Sequence, residues 1–305
     1  MFESYNHFSL GPLDEGYPEL LLDLDPAPSI NGIGDPACLK GPCISVVGAR
    51  RATPYGLAIA EIAGRVAAEC GLVVVSGGAL GCDHAAARAA LDAGGKTIVV
   101  SGCGPDVVYP ASSGDVFSGA VMEGGAIISM ERWGSPPRRH VFVKRNSIIA
   151  ALSQVLIVTE AGQRSGTMST ADVALSLERT VYAVPGSIFS PTSSGTNRLI
   201  SEGARNICDS RDLELAISLD YGVSRIVSEN APRALGDILS ALMANPMRPQ
   251  ELSEYLNQDL LTLIKTLVEF ESKGLVCRLP DGRYSPSEDV FQGRGLQHLG
   301  KGDGS

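Results

Sequence analysis

Short apolar runs alternate with amphipathic helical segments from Cys43 onward, and this alternation is the main structural signal of the chain. The runs predicted to be strands are 44–48, 72–76, 97–101, 126–129, 154–158 and 181–184. Strands that are apolar throughout and separated by helices are typical of a parallel sheet covered on both faces. The pattern therefore predicts an α/β fold with an extended Rossmann-type, doubly wound and mostly parallel sheet over residues 41–220.

The segments that flank this pattern differ from it in composition. Residues 1–40 are rich in proline, glycine and aspartate, and we expect an extended N-terminal lead-in that lies on the main domain. The composition changes again after Asp220, so residues 221–232 are expected to form a linker. Residues 287–305 are glycine-rich and are expected to be a disordered tail.

Residues 233–286 predict a small C-terminal winged-helix domain. Its three helices are expected at 235–243, 249–256 and 260–274, followed by two strands at either side of the turn Pro280-Asp281-Gly282. Acidic residues outnumber Lys265 and Lys273 around the third helix, whereas a helix that reads DNA normally carries more positive charge. The sequence therefore favours protein contact or a structural role over duplex binding for this domain.

Glycine-rich loops follow four of the predicted strands. Right-handed crossovers bring the carboxyl ends of parallel strands to one edge of the sheet, where we expect these loops to meet. The loops are Val47–Arg51, Ser76–Gly81, Ser101–Gly104 and Arg164–Thr167. Plain strand-to-helix turns have similar glycines, so the loops alone do not establish a binding site.

Particular groups in these loops suit a phosphate ligand. Arg50 and Arg51 follow the first strand, and the planar arginine fork binds phosphate bidentately. The amides of Gly77 and Gly78 could cradle a phosphate, with Asp83 as a plausible N-cap of the next helix. Hydroxyls in the fourth loop, including that of Thr167, are placed to cap a helix or to bind a phosphate oxygen.

A basic cluster lies between the third and fourth loops. It comprises Arg132, Arg138, Arg139, Lys144 and Arg145, with His140 among them. We expect Lys144-Arg145-Asn146 at the head of an apolar helix, so that two cationic positions and two helix N-termini converge on one edge of the sheet. This arrangement suits a chain of phosphates better than a single small metabolite.

Charge and cysteine content narrow the class of protein. The net charge of -9 argues against a protein that coats nucleic acid indiscriminately, although a local basic patch remains compatible with it. The seven cysteines form no zinc-type spacing, and Cys70 and Cys277 are predicted to be small core residues. The odd cysteine count and the lack of a signal peptide predict a cytoplasmic protein. No apolar run approaches the roughly 20 residues that span a bilayer, so no membrane association is expected.

Candidate catalytic groups are few. His84 and His140 have no evident acid–base partner in the sequence, and no nucleophile motif is visible. Glu160 and Glu178 flank the fourth loop like a hydrolase pair, but Glu160 follows a strand and fits a role in holding Arg164 or a helix N-terminus. We predict no enzyme activity, no catalytic residue, no metal site and no cofactor.

The motifs in this order resemble the DNA-processing protein A family (DprA, also called Smf). The resemblance rests on VGARR at 47–51, SGGALGCD at 76–83, SGCGPDVVYP at 101–110, and segments at 131–153, 160–171, 181–187 and 195–204. It implies a protein that binds single-stranded DNA, protects incoming strands during natural transformation and loads the RecA recombinase, acting as a dimer without known catalysis. By motif position, Arg50, Lys144, Arg145 and Asn146 would lie in the DNA-binding pocket, Arg164, Ser165 and Gly166 would complete it, and Gly77 and Gly78 would lie close by.

Three positions depart from the family pattern. Ala87 stands where the family usually has a histidine, Ser113 where it commonly has an asparagine, and Val143 where it often has a proline. Reversing the charges of Lys144 and Arg145 together is expected to abolish oligonucleotide binding and to leave the fold intact.

Two other functions stay open. One is a nucleotide-metabolising enzyme of the lysine-decarboxylase-like, cytokinin-activating type, although the PGGxGTxxE loop of that family is replaced here by RSGTMSTAD. The other is a small-nucleotide sensor that uses the same loops for a mononucleotide.

Overall fold

The computed structural model describes Phe2, residues 4–225 and residues 234–287, with side chains from residue 237 onward in the last range. Two compact units divide the chain, Met1–Glu229 and Asn230–Ser305. Most of the predicted linker and all but the first residue of the predicted disordered tail lie outside the described residues. The predicted segment boundaries therefore stay predictions.

A nine-stranded sheet forms the centre of the first unit, in the order β1-β2-β6-β5-β4-β3-β7-β8-β9. The strands are β1 His7–Leu10, β2 Ile30–Gly34, β3 Cys43–Val47, β4 Val73–Ser76, β5 Thr97–Val100, β6 Ala126–Ser129, β7 Val155–Val158, β8 Thr180–Ala183 and β9 Arg205–Asn206. All pairs from β6 to β9 are parallel, with Ile44 opposite Val155 and Ile98 opposite Ala126 as examples of the register. The mostly parallel sheet predicted from the apolar runs is confirmed.

The N-terminal segment contributes more than the expected lead-in, because β1 and β2 extend the sheet. β2 pairs antiparallel with β6, and β1 pairs antiparallel with β2. Ile30 and Ile33 of β2 are fully buried. The edge of β6 would otherwise present unpaired amides and carbonyls, which β2 satisfies. The short INGIG segment gave no recognisable strand pattern because its glycines dilute the apolar signal.

Helices cover both faces of the sheet. They are α1 Pro54–Glu69, α2 Cys82–Asp92, α3 Gly114–Met122, α4 Arg139–Ala151, α5 Gly166–Ser176, α6 Ser194–Ser201 and α7 Ser210–Tyr221. On one face, α1, α2 and α7 pack on Ile44, Val46 and Val74, while α3 packs on Val99. On the other face, α4 and α5 pack around Leu156. Burial on both faces explains why the strands are apolar throughout.

The second unit has three helices followed by a two-stranded antiparallel sheet. Its elements are α8 Ala234–Ala244, α9 Pro249–Leu256, α10 Leu260–Ser272, β10 Val276–Arg278 and β11 Tyr284–Pro286. Ile238, Leu252, Leu263 and Phe270 belong to its core. The element order agrees with the predicted winged helix, and the assignment to that fold stays a prediction.

Cysteine placement corrects one detail. Cys70 is buried as predicted, whereas Cys277 is exposed. Successive strand residues point to opposite faces, and in β10 the core receives Val276. The next side chain, Cys277, therefore points away from that core.

Candidate functional site

Loops at the carboxyl edge of the parallel sheet form the candidate site, which we call the rim. It consists of residues 48–53, 77–81, 101–110, 130–138 and 159–165, which follow β3, β4, β5, β6 and β7. β3 lies between β4 and β7, so the order of the strands reverses at β3. The connections on its two sides therefore run in opposite directions along the sheet. Doubly wound sheets bind their ligands in the crevice that opens at such a switch point.

A buried carboxylate ties the first two loops together. Asp83 accepts hydrogen bonds from the amide nitrogens of Gly48 at 3.3 Å and Gly77 at 3.1 Å. The prediction that Asp83 caps α2 is wrong, because Gly81 occupies the cap position. The carboxylate instead turns back toward the sheet, where two amides stabilise it.

Arg145 lies beneath the rim. The residue is only 3% exposed, and its Nη1 donates a hydrogen bond to the Val100 carbonyl at 3.0 Å. A β-carbon at position 77 would overlap Nη1 and would stand 2.6 Å from Oδ2 of Asp83. Glycine at position 77 therefore lets the guanidinium and the carboxylate approach each other.

Burial dominates the ionisation of this pair. Burial lowers the pKa of Arg145 to about 10, although the charge of Asp83 acts in the opposite direction. Burial also raises the pKa of Asp83, opposed by the charge of Arg145 and by the amides of Gly48 and Gly77. Arg145 therefore carries its charge at neutral pH, where it stabilises the Asp83 carboxylate.

The Phe142 ring is half-buried beside Arg145. It lies against the third loop, where a β-carbon at Gly102 would stand 2.5 Å from the ring. The guanidinium carbons of Arg50 and Arg145 lie 5.6 and 5.8 Å from the ring centroid, within cation–π range. The Tyr109 ring lies 5.6 Å from Phe142 and is 45% exposed. Phe142 thus connects the first and third loops to α4.

Polar side chains fix the start of α5. Thr167 Oγ1 donates a hydrogen bond to the Gly48 carbonyl at 2.9 Å, and Asn146 Nδ2 donates to the Gly166 carbonyl at 3.2 Å. Ser165 is the N-cap residue of α5, and its buried Oγ has no hydrogen-bond partner within the described residues. The first amides of a helix have no partners inside the helix and carry partial positive charge. This end of α5 can therefore receive an anion.

Exposed cations surround this framework. Arg50, Arg51, Lys144 and Arg164 are exposed, and so are the neighbouring Arg132, Arg138 and Arg139. None of them forms an ion pair with a carboxylate within the described residues. The rim of an acidic protein thus carries uncompensated positive charge, which suits a polyanion.

Lys144 and Arg145 belong to one predicted basic cluster, but their side chains have different environments in the structure. α4 begins at Arg139, so both residues lie in its second turn and not at its head. Consecutive helix residues point about 100° apart, and Lys144 is exposed whereas Arg145 is buried. The expectation that the fold stays intact after charge reversal at Arg145 does not agree with the buried position of this residue beside Asp83.

Val143 lies within the second turn of α4, where a proline would lack the backbone amide hydrogen that a helix uses.

Gly78 has a conformational role. Its φ is +62°, and a β-carbon there would stand 2.7 Å from the Phe117 ring. Both the left-handed backbone and the close packing require glycine.

Glu160 and Glu178 do not form a pair. Glu160 is buried and accepts hydrogen bonds from the amide and hydroxyl of Thr53, both at 2.8 Å, and from the Thr192 hydroxyl at 2.6 Å. Glu160 therefore holds the N-terminus of α1, one of the two roles that the sequence left open. Glu178 lies beyond the opposite end of α5 from the rim.

The expectation that His84 lacks a partner is wrong. His84 Nε2 lies 2.9 Å from the Asp115 carboxylate, a contact across 31 residues that local sequence does not indicate. Partial burial acts to raise the pKa of Asp115, but the hydrogen bond and charge of His84 outweigh it and the pKa is lowered.

Within the described ranges, no group of three or more histidine, cysteine or acidic residues could hold a metal ion. No described helix combines the length and apolar character needed to cross a bilayer.

The fold and the rim define a Rossmann-like α/β protein with a cationic crevice at the switch point of its sheet. Residues 9–217 match the family model described as DNA recombination-mediator protein A. The chain belongs to this family, as its motifs predicted.

Two relatives with similar sequences are named as DNA processing proteins. The DNA processing protein DprA of Streptococcus pneumoniae is 38% identical over 215 residues, which cover 70% of this chain and 74% of that protein. The putative DNA processing protein DprA of Mycobacterium tuberculosis is 40% identical over 169 residues, which cover 55% of this chain but only 43% of the relative. The match thus spans less than half the length of that relative.

A solved structure of DNA processing protein A from Helicobacter pylori has the same fold. The TM-score is 0.64 at 30% identity, and the match covers 72% of this chain and all of that chain. That structure is described as giving insight into a single-stranded DNA binding mode.

Proposed function

We propose that this protein binds single-stranded DNA in the cytoplasm and acts as a recombination mediator that protects incoming strands and loads RecA during natural transformation. The observation that carries the proposal is the set of exposed cations Arg50, Lys144 and Arg164, none of which forms an ion pair with any residue that the structure describes. Each can displace a counterion from a phosphate, and the start of α5 offers amides to another. Gly77 and Gly78 would act by shaping the second loop.

The exposed groups of the rim favour an unpaired strand over a duplex. Backbone phosphates of a flexible strand can follow a groove, and its bases can stack on exposed aromatic rings such as that of Tyr109. The net charge of -9 opposes a broad contact with duplex DNA. Family membership and the DNA-binding relative from Helicobacter support the same conclusion.

Protein partners are part of the proposal. Large apolar side chains are exposed at Ile188, Phe189 and Leu219, and such positions are typical of protein interfaces. We propose RecA and a second copy of this chain as partners.

The alternative of a nucleotide-hydrolysing enzyme receives no comparable support. Glu160, one of the two carboxylates that flank the fourth loop, accepts hydrogen bonds from Thr53 and Thr192. We therefore propose binding without a chemical step.

Binding across a salt series tests the proposal. Fluorescence anisotropy with oligothymidylate and with a matched duplex should show single-strand affinity at least about tenfold higher. The logarithm of the association constant should fall with the logarithm of salt, by about 0.7 for each phosphate contacted. Equal affinity for the duplex, or equally effective competition by a mononucleotide, would contradict the proposal.

Removal of the second unit should leave single-strand binding largely in place. The rim belongs wholly to the first unit. Near α10 in the second unit, Lys273, which follows the helix, donates a hydrogen bond to Glu269. A chain ending at Glu229 should bind oligothymidylate within about threefold of the full chain, since it keeps every proposed phosphate contact. Large loss of affinity in a folded truncation would show that the second unit contacts DNA directly.

A further inference from the structure

Trp133 is the single tryptophan of the chain and lies in the rim loop that follows β6. Its residue surface is 39% exposed. The indole ring stacks on the ring of His7, with centroids 4.9 Å apart and planes inclined by 7°. Parallel stacking places His7 on one face of the indole, and the residue still keeps this exposed surface.

The loop that carries Trp133 is fixed on both sides. Asn31 Nδ2 donates a hydrogen bond to the Glu131 carbonyl at 3.0 Å, and the Gly134 amide donates to Asp106 Oδ1 at 2.8 Å. The Gly104 amide donates to the Ser135 carbonyl at 2.9 Å. A ring presented from such a loop loses little conformational entropy when a ligand stacks on it.

Contacts connect Trp133 to the cationic crevice. Asp106, which holds the tryptophan loop, and Tyr109 belong to the same rim loop. Tyr109 contacts Phe142, over which Arg50 lies. The Asp106 carboxylate is engaged by an amide, and exposed arginines at 132, 138 and 139 outnumber it locally.

A purely structural explanation leaves part of this arrangement unaccounted for. The contact between β1 and the loop uses only the indole face that touches His7, and tryptophan is highly buried on average in folded proteins. Trp133 instead presents a rigid aromatic surface on the same edge as the proposed phosphate ligands. Bases of single strands stack on such surfaces with little sequence preference.

We propose that Trp133 is a stacking platform for an unpaired base of the strand whose phosphates Arg50 and Lys144 hold. The inference rests on the proposed function and extends it, since it assigns a base subsite outside the crevice. This chain would then bind a longer stretch of single strand than its phosphate contacts alone require.

Oligothymidylates of graded length, from about 4 to 16 nucleotides, test the platform with the full chain. Binding should quench the fluorescence of Trp133, and the quenching should have the same midpoint concentration as the anisotropy titration. Trp133→Ala should weaken binding of the longer oligomers by about 5- to 100-fold and leave the shortest unchanged, because only long strands reach the platform. Trp133→Phe should retain most of the affinity. Tyr255→Ala, an exposed aromatic in the second unit, should change nothing.

An abasic scan separates stacking from loss of structure. Replacing one nucleoside at a time by an abasic residue keeps every phosphate, and at one position the loss should equal that of Trp133→Ala. The two changes should not add, because both remove the same contact. If binding leaves the Trp133 fluorescence of the unaltered chain unquenched and Trp133→Ala binds with unchanged affinity, the platform is overturned and the proposed function stands. Absence of binding by the unaltered chain at every length would refute the proposed function itself.

Discussion

Replacing Arg50 and Lys144 together by glutamate should lower the affinity for oligothymidylate by at least about a hundredfold. Both side chains are exposed, and neither forms an ion pair within the described residues. A charge-assisted hydrogen bond contributes about 1.5–3 kcal/mol, so two such contacts correspond to about 3–6 kcal/mol, where 1.4 kcal/mol is a factor of ten. Anisotropy at fixed salt measures the change, and circular dichroism should show an unaltered fold.

A matched control separates local contact from overall charge. Lys40 and Lys96 are exposed and precede β3 and β5, so they lie near the amino edge of the sheet, opposite the rim. Replacing both by glutamate changes the net charge equally and should leave affinity within about threefold, because exposed charges beyond the Debye length are screened. Equal losses of affinity in the two double variants would mean that binding depends on the net charge of the protein and not on contacts made by Arg50 and Lys144.

The apolar runs predicted the parallel strands well because both faces of the sheet are buried. Ile44 and Val46 pack on one face and Val47 on the other, so nothing interrupts the signal that the runs give. β1 and β2 have no such signal. β2 is a strand because β6 offers it an edge, and β1 pairs in turn with β2. The pairing of Ile33 with Ile127 depends on residues far apart in the chain.

The place of the candidate site in the fold could be predicted from the sequence, but the role of each residue within it could not. Motif order placed Arg50, Lys144 and Arg164 on one edge, and the structure shows all three exposed there. The sequence could not distinguish the exposed Lys144 from the buried Arg145, because the helix phase is set by where α4 starts and by what it packs against. Contacts such as Trp133 with His7 join distant segments and have no local pattern.

Arg145→Ala should lower the free energy of unfolding of the first unit by about 3–5 kcal/mol. The change leaves the Asp83 carboxylate buried without its neighbouring cation, and a buried charge that loses its partner is costly. Arg164→Ala is the matched control on the same rim, and as an exposed residue it should change stability by no more than about 0.5 kcal/mol. Urea unfolding followed by Trp133 fluorescence reports on the first unit alone, since the second has no tryptophan.

A double-mutant cycle tests whether Asp83 causes the loss of stability in Arg145→Ala. Asp83→Asn removes the buried negative charge, so the cost of Arg145→Ala in that background should be smaller by about 1–3 kcal/mol. Equal costs in both backgrounds would show that the guanidinium stabilises the fold through packing or through Val100 and not through Asp83.

Binding measurements distinguish Arg145 from its neighbour. Arg145→Lys keeps a cation beside Asp83 and should preserve the fold, but a lysine cannot reproduce the geometry with which the guanidinium meets both Asp83 and Val100. We expect weaker oligothymidylate binding with an unchanged slope against salt, because the buried side chain releases no counterion from the DNA. Lys144→Ala should lower that slope by about 0.7, the value for one phosphate contact on a single strand. A reduced slope in Arg145→Lys would place this residue in contact with phosphate and contradict its role beneath the rim.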